Sequence, residues 1–396
     1  MRLTEEQKSI IKATAPILKE NGKEITSIFY KHMLRENPDF LNLFNHTNQR
    51  NGTQPLALAN TIYFAAENID HLELLMPQIL SIAHKHRALT IKPEHYPIVG
   101  KNLLFAIDEF LGATGDTSII KAWGAAYDII ASIFIKIEKE LYDELGDDER
   151  NKGFVPLRII RKEQVANGPI ISFTFERQDG EPIQKYQTGQ YLTIRIKKGA
   201  YFHNRHYSLI EPWNGRTYRI AIKQEIDKEP KGLVSNEVVN NYRVGDQILA
   251  TLPAGTFCLV NDAKHHLLIA GGNGITVFSA MIRDLDQRGQ SNKATLIHCV
   301  PSRGYAAFAD EMRAILPKNQ YHLLTLGKSV LRGLLKKILT HDIHVYLIGS
   351  VRFMNRVEEH LAECHHPASL IHLEAFRPSL SIVKNAVRDQ SKTKSL

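Results

Sequence analysis

The sequence predicts a multidomain protein: an all-α domain, then an antiparallel β-barrel, then an α/β domain with a parallel sheet. Its 396 residues suffice for two or three domains of ordinary size. Helical periodicity governs the first third, alternating β-branched residues the middle, and strands joined by glycine turns and helices the last third. The predicted limits are 1–146, 151–262 and 263–382, with a flexible tail at 383–396.

The composition is that of a soluble globular protein. Hydrophobic residues make up 43% and charged residues 23% of the chain, which excludes disorder and collagen-like repeats for its bulk. The sequence has no run of about 18 uninterrupted apolar residues, so we expect no membrane span. The first residues lack the apolar segment of a secretory signal. We therefore expect a cytoplasmic protein.

The cysteine spacing and the net charge exclude several kinds of site and partner. Cys258, Cys299 and Cys364 lie far apart without a CxxC pair, so neither a disulfide framework nor a zinc site is indicated. The net charge is +8, but the basic residues are scattered among acidic ones. We expect no nucleic-acid partner, although positive charge would also suit an anionic dinucleotide.

Helical signals predict six to eight helices in the first domain. Thr4 to Gln7 has the spacing of a capping box. Apolar residues recur with a helical period from Leu72 to Ala83 and from Ile130 to Leu141. The predicted helix breaks are Asn37–Pro38, Asn51–Gly52, Lys92–Pro93 and 112–115.

The strands of the other two domains are predicted from β-branched runs between glycine, proline and asparagine. The predicted barrel strands are 170–175, 191–196, 218–223 and 247–251. The predicted strands of the parallel sheet are 266–270, 294–300, 321–326, 345–348 and 369–373.

His86 is the first candidate for chemistry in the helical domain. It shares a helix face with Ile79 and Ile82, whereas His84 points roughly 160° away. A neutral imidazole that points into an apolar interior is a good axial ligand for heme iron. The alternative is a core histidine that hydrogen-bonds to the backbone.

Glu138 strengthens that hypothesis. It lies on the inward face of the last long helix, between Phe134 and Leu141. A buried carboxylate needs a donor, and a metal-bound histidine offers its second ring N–H. Tyr96, ten residues after His86, could supply a further hydroxyl. The alternative is a surface glutamate at the edge of the helix.

Gln54, Leu58 and Tyr30 are further candidates. Gln54 and Leu58 are spaced i, i+4 and so share a helix face. Tyr30 follows Phe29 in an apolar segment. Together the tyrosine and the glutamine could hydrogen-bond a ligand, but each alone also fits a core tyrosine or a solvated glutamine.

With these residues, the helical domain resembles a globin of the flavohemoprotein type. Residues 43–54 resemble the distal segment of that family. The proximal side is similar in four places: Lys85–His86, 91–96, 122–127 and the Glu138 helix. The match extends over nearly the whole chain, in the family's order of globin, FAD barrel and NAD(P) module.

The resemblance gives each candidate in the helical domain a role around heme b. His86 would ligate the iron, and Tyr30 with Gln54 would face bound O₂. Tyr96 and Glu138 would form the proximal relay beside His86. The residues implied to pack around the heme are Phe44, Leu58 and Lys85, of which the lysine would lie between heme and flavin.

The resemblance also implies an FAD site in the barrel. Arg205 begins a motif similar to the family's Arg-x-Tyr-Ser and would pair with a diphosphate, although a strand-end arginine is more often a surface residue. Residues 232–236 place small side chains and backbone N–H groups where a helix begins, which suits phosphate. The implied FAD contacts are Tyr191, Arg205, His206, Tyr207, Ser208, Gly232, Val234 and Ser235.

A glycine turn implies the NAD(P) site. The turn follows a strand and opens a helix, but lacks the third glycine of GxGxxG; it resembles the family's Gly-x-Gly-x-Thr-Pro loop. The segment consists of Gly272, Asn273, Gly274, Ile275, Thr276 and Val277. A second implied cofactor segment, similar to the family's Glu-x-Phe-Gly, consists of Glu374, Ala375, Phe376, Arg377 and Pro378, with Phe376 stacked on the isoalloxazine.

Several positions depart from the family pattern near the nicotinamide. Val277 replaces a proline, Ile348 a cysteine that would lie by the nicotinamide, and Ser350 a proline. Arg377 replaces a glycine and could crowd the flavin edge. Lineage drift with activity kept explains these changes; the alternative is altered nicotinamide affinity or slower hydride transfer.

The implied activity is an NAD(P)H-dependent nitric oxide dioxygenase, which converts NO and O₂ to nitrate at a heme re-reduced by NAD(P)H through FAD. Its partners would be the small molecules O₂, NO and NAD(P)H, and we expect a monomer. Two alternatives stay open: an O₂/NO-binding or sensing globin with a weakened reductase, and a general NAD(P)H-flavin reductase. NADH and NADPH are equal candidates.

Overall fold

The computed structural model describes residues 2–44, 53–112, 117–166, 168–226, 231–325 and 328–375. The chain divides into two compact units. The first contains Met1–Lys152 with Lys197–Asn204, and the second contains Gly153–Ile196 with Arg205–Phe376. The domain limits given above stay predictions. The tail at 383–396 and the break at Asn51–Gly52 lie outside the described residues.

The first unit is helical. Its described α-helices are α1 (Glu5–Glu36), α2 (Thr53–Glu67), α3 (Met76–Ala88), α4 (His95–Leu111) and α5 (Thr117–Asp143). The segments Pro38–Asn42 and Leu72–Leu75 form short 3₁₀ turns. The described residues hold these five α-helices and short 3₁₀ segments, so the predicted six to eight helices stay a prediction for the whole domain.

Local signals explain where these helices begin and end. Thr4 and Gln7 form the predicted capping box at the start of α1. The helix ends before Asn37, at the predicted Asn37–Pro38 break. Gly112 ends α4 in the left-handed conformation, with a φ of 75°, which glycine adopts without strain.

One face of helix α5 packs into the core of the first unit. By length and composition it could cross a membrane. It packs against α1, α3 and α4, and Trp123, Phe134 and Glu138 on one of its faces are buried. A helix that packs one face into the core of a globular domain can have the same length and composition, and α5 packs in this way.

A six-stranded sheet, most of whose residues belong to the second unit, has the order β4-β3-β6-β1-β2-β5. A bridge between Leu209 and Ile220 joins the segment after β4 to β5, so the sheet closes into the predicted barrel. The elements are β1 (Val155–Gln164), β2 (Ile170–Arg177), β3 (Tyr191–Lys198), β4 (Tyr201–Ser208), β5 (Tyr218–Lys223), α6 (Leu233–Asn241) and β6 (Gln247–Ala250).

A five-stranded parallel sheet follows, in the order β11-β10-β7-β8-β9. The elements are β7 (His266–Gly271), α7 (Ile275–Gln287), β8 (Ala294–Val300), α8 (Ala309–Ile315), β9 (Tyr321–Thr325), α9 (Lys328–Ile338), β10 (His344–Gly349), α10 (Val351–Glu363) and β11 (Ile371–Ala375). The chain runs from β7 outward to β9 and then returns to β10 on the other side of β7. Ligands of such sheets bind at this reversal, beyond the carboxyl ends of β7 and β10.

Candidate functional site

A triad of side chains, two of them buried, joins α3, α4 and α5. His86 Nδ1 lies 2.7 Å from Glu138 Oε1 and 3.1 Å from the Tyr96 hydroxyl oxygen. The Tyr96 hydroxyl donates to the same Glu138 oxygen at 2.5 Å. Glu138 is only 3% exposed, so its carboxylate depends on these two donors. The three residues that the sequence analysis connected therefore meet in the structure.

The triad determines which nitrogen of His86 can bind a metal. A carboxylate only accepts hydrogen bonds, so the ring proton lies on Nδ1 and Nε2 keeps its lone pair. No described residue hydrogen-bonds to Nε2, and the side chain is 31% exposed. The described residues contain no group of three or more metal-binding side chains. His86 therefore fits a metal that arrives with its own ligands, as heme iron does.

Further side chains support the triad. Burial, together with Glu138, raises the pKa of Tyr96 well above its ordinary value, so the hydroxyl keeps its proton and stays a donor. The Tyr127 hydroxyl donates to the Tyr96 carbonyl oxygen at 2.6 Å. Gly100 leaves room for the Tyr127 ring, because a Cβ at position 100 would lie 2.5 Å from that ring. Sequence reasoning placed Tyr127 in a family-like segment but gave it no role.

Of the predicted distal residues, Tyr30 on α1 lies in an aromatic cluster. Tyr30 is 7% exposed and meets Phe29 and Phe44 edge to face, with ring centroids 4.8 and 5.6 Å away. Phe44 and Leu58 pack against the same apolar core. Gln54 belongs to α2, but its side chain lies outside the described residues. Lys85 is half-buried next to His86 on α3.

The predicted flavin residues of the barrel lie on β3 and β4. The ring centroids of Tyr191 and His206 are 4.7 Å apart, and Thr193 Oγ1 lies 2.8 Å from His206 Nδ1. Burial lowers the pKa of the Arg205 guanidinium and raises that of the Tyr207 hydroxyl. A partly desolvated guanidinium favours a bound anion such as a diphosphate. Ser208, the last residue of β4, is half-buried.

Helix α6 presents an uncapped amino end. It begins after Gly232, which supplies no side-chain cap, so its first N–H groups suit phosphate. A Cβ at Gly232 would lie 2.5 Å from Ser235 Oγ, while Val234 is buried. At the carboxyl end of α6, Lys162 Nζ donates to the carbonyl oxygens of Val239 and Tyr242 at 2.6 and 2.9 Å.

The predicted nucleotide turn lies where β7 ends. Gly272 to Gly274 form a 3₁₀ turn without a side-chain cap, and Gly272 has a left-handed φ of 57°. A Cβ at Gly274 would lie 2.6 Å from Ile348 Cγ2, so only glycine lets the turn pack on β10. The Thr276 hydroxyl donates to the Asn273 carbonyl oxygen at 2.9 Å. This glycine turn suits a pyrophosphate.

The structure accommodates the departures from the family pattern that it describes. Val277 is 1% exposed and, like Ile275, belongs to the core. Ile348 is fully buried beneath Gly274. Ser350 Oγ accepts from the Phe353 N–H and caps α10. Glu374 pairs with Ile348 in the β10–β11 register, and Ala375 ends β11. The residues of this segment outside the described part are Phe376, Arg377 and Pro378.

Known proteins are similar to this chain over nearly its whole length. A globin family model matches residues 27–134. The chain is 39% identical to the flavohemoprotein of Oceanobacillus iheyensis, over 95% of this chain and 97% of that protein. It is 37% identical to flavohemoprotein A of Dictyostelium discoideum, over 96% and 100%. The crystal structure of flavohemoglobin from Malassezia yamatoensis with bound FAD and heme matches at a TM-score of 0.84 and 25% identity, covering 95% and 100% of the two chains.

Proposed function

This chain belongs to the flavohemoprotein family, and on that premise we propose that it is an NAD(P)H-dependent nitric oxide dioxygenase, which converts NO and O₂ to nitrate. When bound, heme b and FAD supply the electron transfer from NAD(P)H and the oxygen chemistry. The chain itself binds and orients these groups and controls the charge around them. We further propose that it works in the cytoplasm as a monomer.

The observation that carries the proposal is the contact between His86 and Glu138. A histidine whose Nδ1 lies 2.7 Å from a buried carboxylate is a stronger electron donor through Nε2 than a histidine bound to a backbone carbonyl. Glu138 and Tyr96 also fix the ring orientation. Such a proximal ligand suits oxygen chemistry better than simple storage, because electron donation favours activation of the oxygen.

On the distal side, the proposal gives Tyr30 the task of donating a hydrogen bond to the oxygen substrate. The hydroxyl is fixed by the packing of its ring against Phe29 and Phe44. Phe44 and Leu58 would keep water from the substrates by their apolar bulk. Gln54 would add a second polar group, and Lys85 a positive charge between heme and flavin.

In the second unit, the proposal assigns phosphate binding to backbone and guanidinium groups. Arg205 and the amino end of α6 would hold the FAD phosphates, with Tyr207 and Ser208 against the flavin. The turn of Gly272 to Gly274 would hold the pyrophosphate of NAD(P)H at the reversal of strand order. Its place beyond the carboxyl end of β7 supports this assignment.

An anaerobic absorbance trace tests the electron path. The purified protein is loaded with heme and FAD and then given NADH or NADPH. We expect prompt bleaching of the flavin followed by the spectrum of reduced heme. With O₂ and NO added, we expect NO to be consumed, with one nitrate formed per NO.

The same trace separates the alternatives. If the flavin stays oxidised at high NADH and NADPH while dithionite still reduces the heme, the reductase is defective and the sensing globin is the better proposal. If heme-free protein oxidises NAD(P)H with added electron acceptors as fast as loaded protein does with NO and O₂, the general reductase is favoured.

A further inference from the structure

A histidine to which the proposed function gives no task holds the nucleotide turn from within the protein. His298 on β8 is fully buried, and its Nε2 lies 3.2 Å from the Gly272 carbonyl oxygen. Strand β8 pairs with β7, with His298 opposite Ala270. The turn follows β7, and the imidazole contacts it from the neighbouring strand, β8.

The chemistry of this contact fixes the state of the ring. A carbonyl oxygen only accepts hydrogen bonds, so Nε2 carries the proton and donates. Burial lowers the pKa of His298 to about 4, which keeps the ring neutral near pH 7. Nδ1 is then an acceptor, and it is buried without a partner among the described residues.

An unpartnered buried nitrogen is unfavourable, and an apolar side chain would avoid it. Leu296 and Val300, the neighbours of His298 on the same face of β8, are apolar and fully buried. Within the part of the chain that the structure describes, the hydrogen bond to Gly272 is thus the interaction that distinguishes the imidazole from an apolar core residue at this position.

The turn needs such a partner because its glycine residues permit many backbone conformations. Gly272 is left-handed, and glycine has more accessible backbone conformations than other residues. His298 binds the Gly272 carbonyl oxygen and Thr276 binds that of Asn273. With both oxygens held by protein donors, neither carbonyl dipole can turn toward an approaching anion, and the amino end of α7 stays positive.

We propose that His298 is a positioning residue for NAD(P)H: it holds the Gly272 carbonyl and so keeps the turn in the conformation that receives the pyrophosphate. The proposal rests on the proposed function. Since the ring contacts backbone and not the reacting atoms, it affects nucleotide affinity rather than the rate of hydride transfer.

Three variants of the heme- and FAD-loaded protein test this proposal. His298→Phe removes the donor and keeps a buried ring, whereas His298→Gln keeps an amide donor of similar reach. The matched control is His266→Phe. His266 is 3% exposed and also has an unpartnered Nδ1, but it lies at the other end of β7, away from the turn.

The measurements are calorimetric titration of the oxidised protein with NAD⁺ and NADP⁺, anaerobic flavin reduction against NADH and NADPH concentration, and thermal unfolding. For His298→Phe we expect the Kd and the half-saturating concentration to rise about tenfold. The limiting rate of flavin reduction should change less than about threefold. His298→Gln should bind nearly as the parent does, and His266→Phe should keep the parent's affinity whatever its thermal stability.

Three results would overturn the proposal: unchanged affinity in His298→Phe, an equal loss in His266→Phe, or no rescue by His298→Gln. A parent protein that binds neither nucleotide would overturn it as well. If the parent binds nucleotide but its flavin is not reduced, the proposed function fails, while the binding data still decide the role of His298.

Discussion

Two histidines in this molecule illustrate opposite ways of preparing a site for a cofactor. His86 is 31% exposed, and side chains hold its Nδ1 so that Nε2 is available. His298 is fully buried, and its Nε2 holds a backbone carbonyl. In the first case the imidazole is the proposed ligand and the surrounding side chains orient it. In the second the backbone is the proposed ligand and the imidazole orients it.

The helix starts show the same contrast. Thr4 and Ser350 cap α1 and α10 with their hydroxyl groups, and these helices have no proposed ligand at their amino ends. Helices α6 and α7 begin after Gly232 and Gly274, which offer no side-chain cap. An uncapped start does not by itself mark a ligand site, since α3, α4 and α8 also begin without a side-chain cap. At α6 and α7 the residue before the helix is a glycine, which also leaves room beside the first N–H groups.

The largest effect should come from removing the proposed ligand. His86→Ala leaves no nitrogen for the iron, so we expect heme affinity and NO consumption to fall by more than about a hundredfold. His84→Ala, two residues earlier on the same helix, is the matched control and should stay within about twofold. Heme titration of the apoprotein and an NO electrode measure both. Equal losses in the two variants would contradict the assignment of His86 as the heme ligand.

Neutralising the carboxylate should have the next largest effect. Glu138→Gln keeps a hydrogen-bond acceptor for His86 but removes the charge, so NO consumption should fall by about ten- to a hundredfold. Glu140→Gln, on the exposed face of the same helix, is the control. A Glu138→Gln variant with parental turnover would show that orientation alone, and not charge, is what Glu138 supplies.

At the glycine turn, where backbone groups are the proposed ligands, even the smallest side chain should disturb nucleotide binding. Gly274→Ala places a Cβ 2.6 Å from Ile348 Cγ2 and 2.8 Å from the Ile348 carbonyl oxygen, so the turn must shift. We expect the half-saturating NAD(P)H concentration for flavin reduction to rise about tenfold. Gly333→Ala in α9, where a Cβ meets nothing within 4 Å, should leave it unchanged.

Acid should destabilise the second unit more than the first. Burial lowers the pKa of His266, His298 and His372 to about 4 in the second unit, and it also lowers the pKa of His265, His322 and His366 there. In the first unit burial lowers the pKa of His84 to about 4 and lowers that of His95. The unfolded histidines, with pKa values near 6.5, bind protons that the native state does not. Stability is therefore complete above pH 6.5 and is lost as the pH falls toward 4.

The expected loss between pH 7 and pH 5 is about 1–2 kcal/mol for a fully buried histidine such as His298. Denaturant unfolding of the loaded protein, with flavin release and heme absorbance as separate probes, measures the two units. His266→Phe should reduce the pH slope of the flavin probe. Equal slopes for the two probes in the parent protein would contradict the comparison.

Much of the fold follows from the sequence because periodicity and turn residues agree. Strands β5 and β8 begin and end at the predicted residues, and the other seven predicted strands lie within about two residues of their expected limits. Strands β1 and β4 were missed. The first does alternate, with Val155, Leu157 and Ile159 buried between exposed residues, but it contains Pro156 and ends in charged residues, which argue against a strand. The second is mostly polar and shows no apolar alternation.

The site could be predicted only in part. His86 and Glu138 were connected correctly because each lies on the apolar face of an amphipathic helix, where a polar residue is conspicuous. His298 was missed because every residue of β8 is buried, so its position gives no signal. Its role depends on a strand register and a carbonyl direction, which arise only in the folded chain. The roles given to residues around heme, FAD and NAD(P)H stay predictions.

The contacts of Glu138 also bear on how the protein matures. His86, Tyr96 and Glu138 hold one another through groups that the polypeptide supplies, so their rotamer freedom is lost during folding and not during cofactor uptake. If His86 is the ligand, as proposed, heme affinity would not be reduced by the cost of ordering the imidazole.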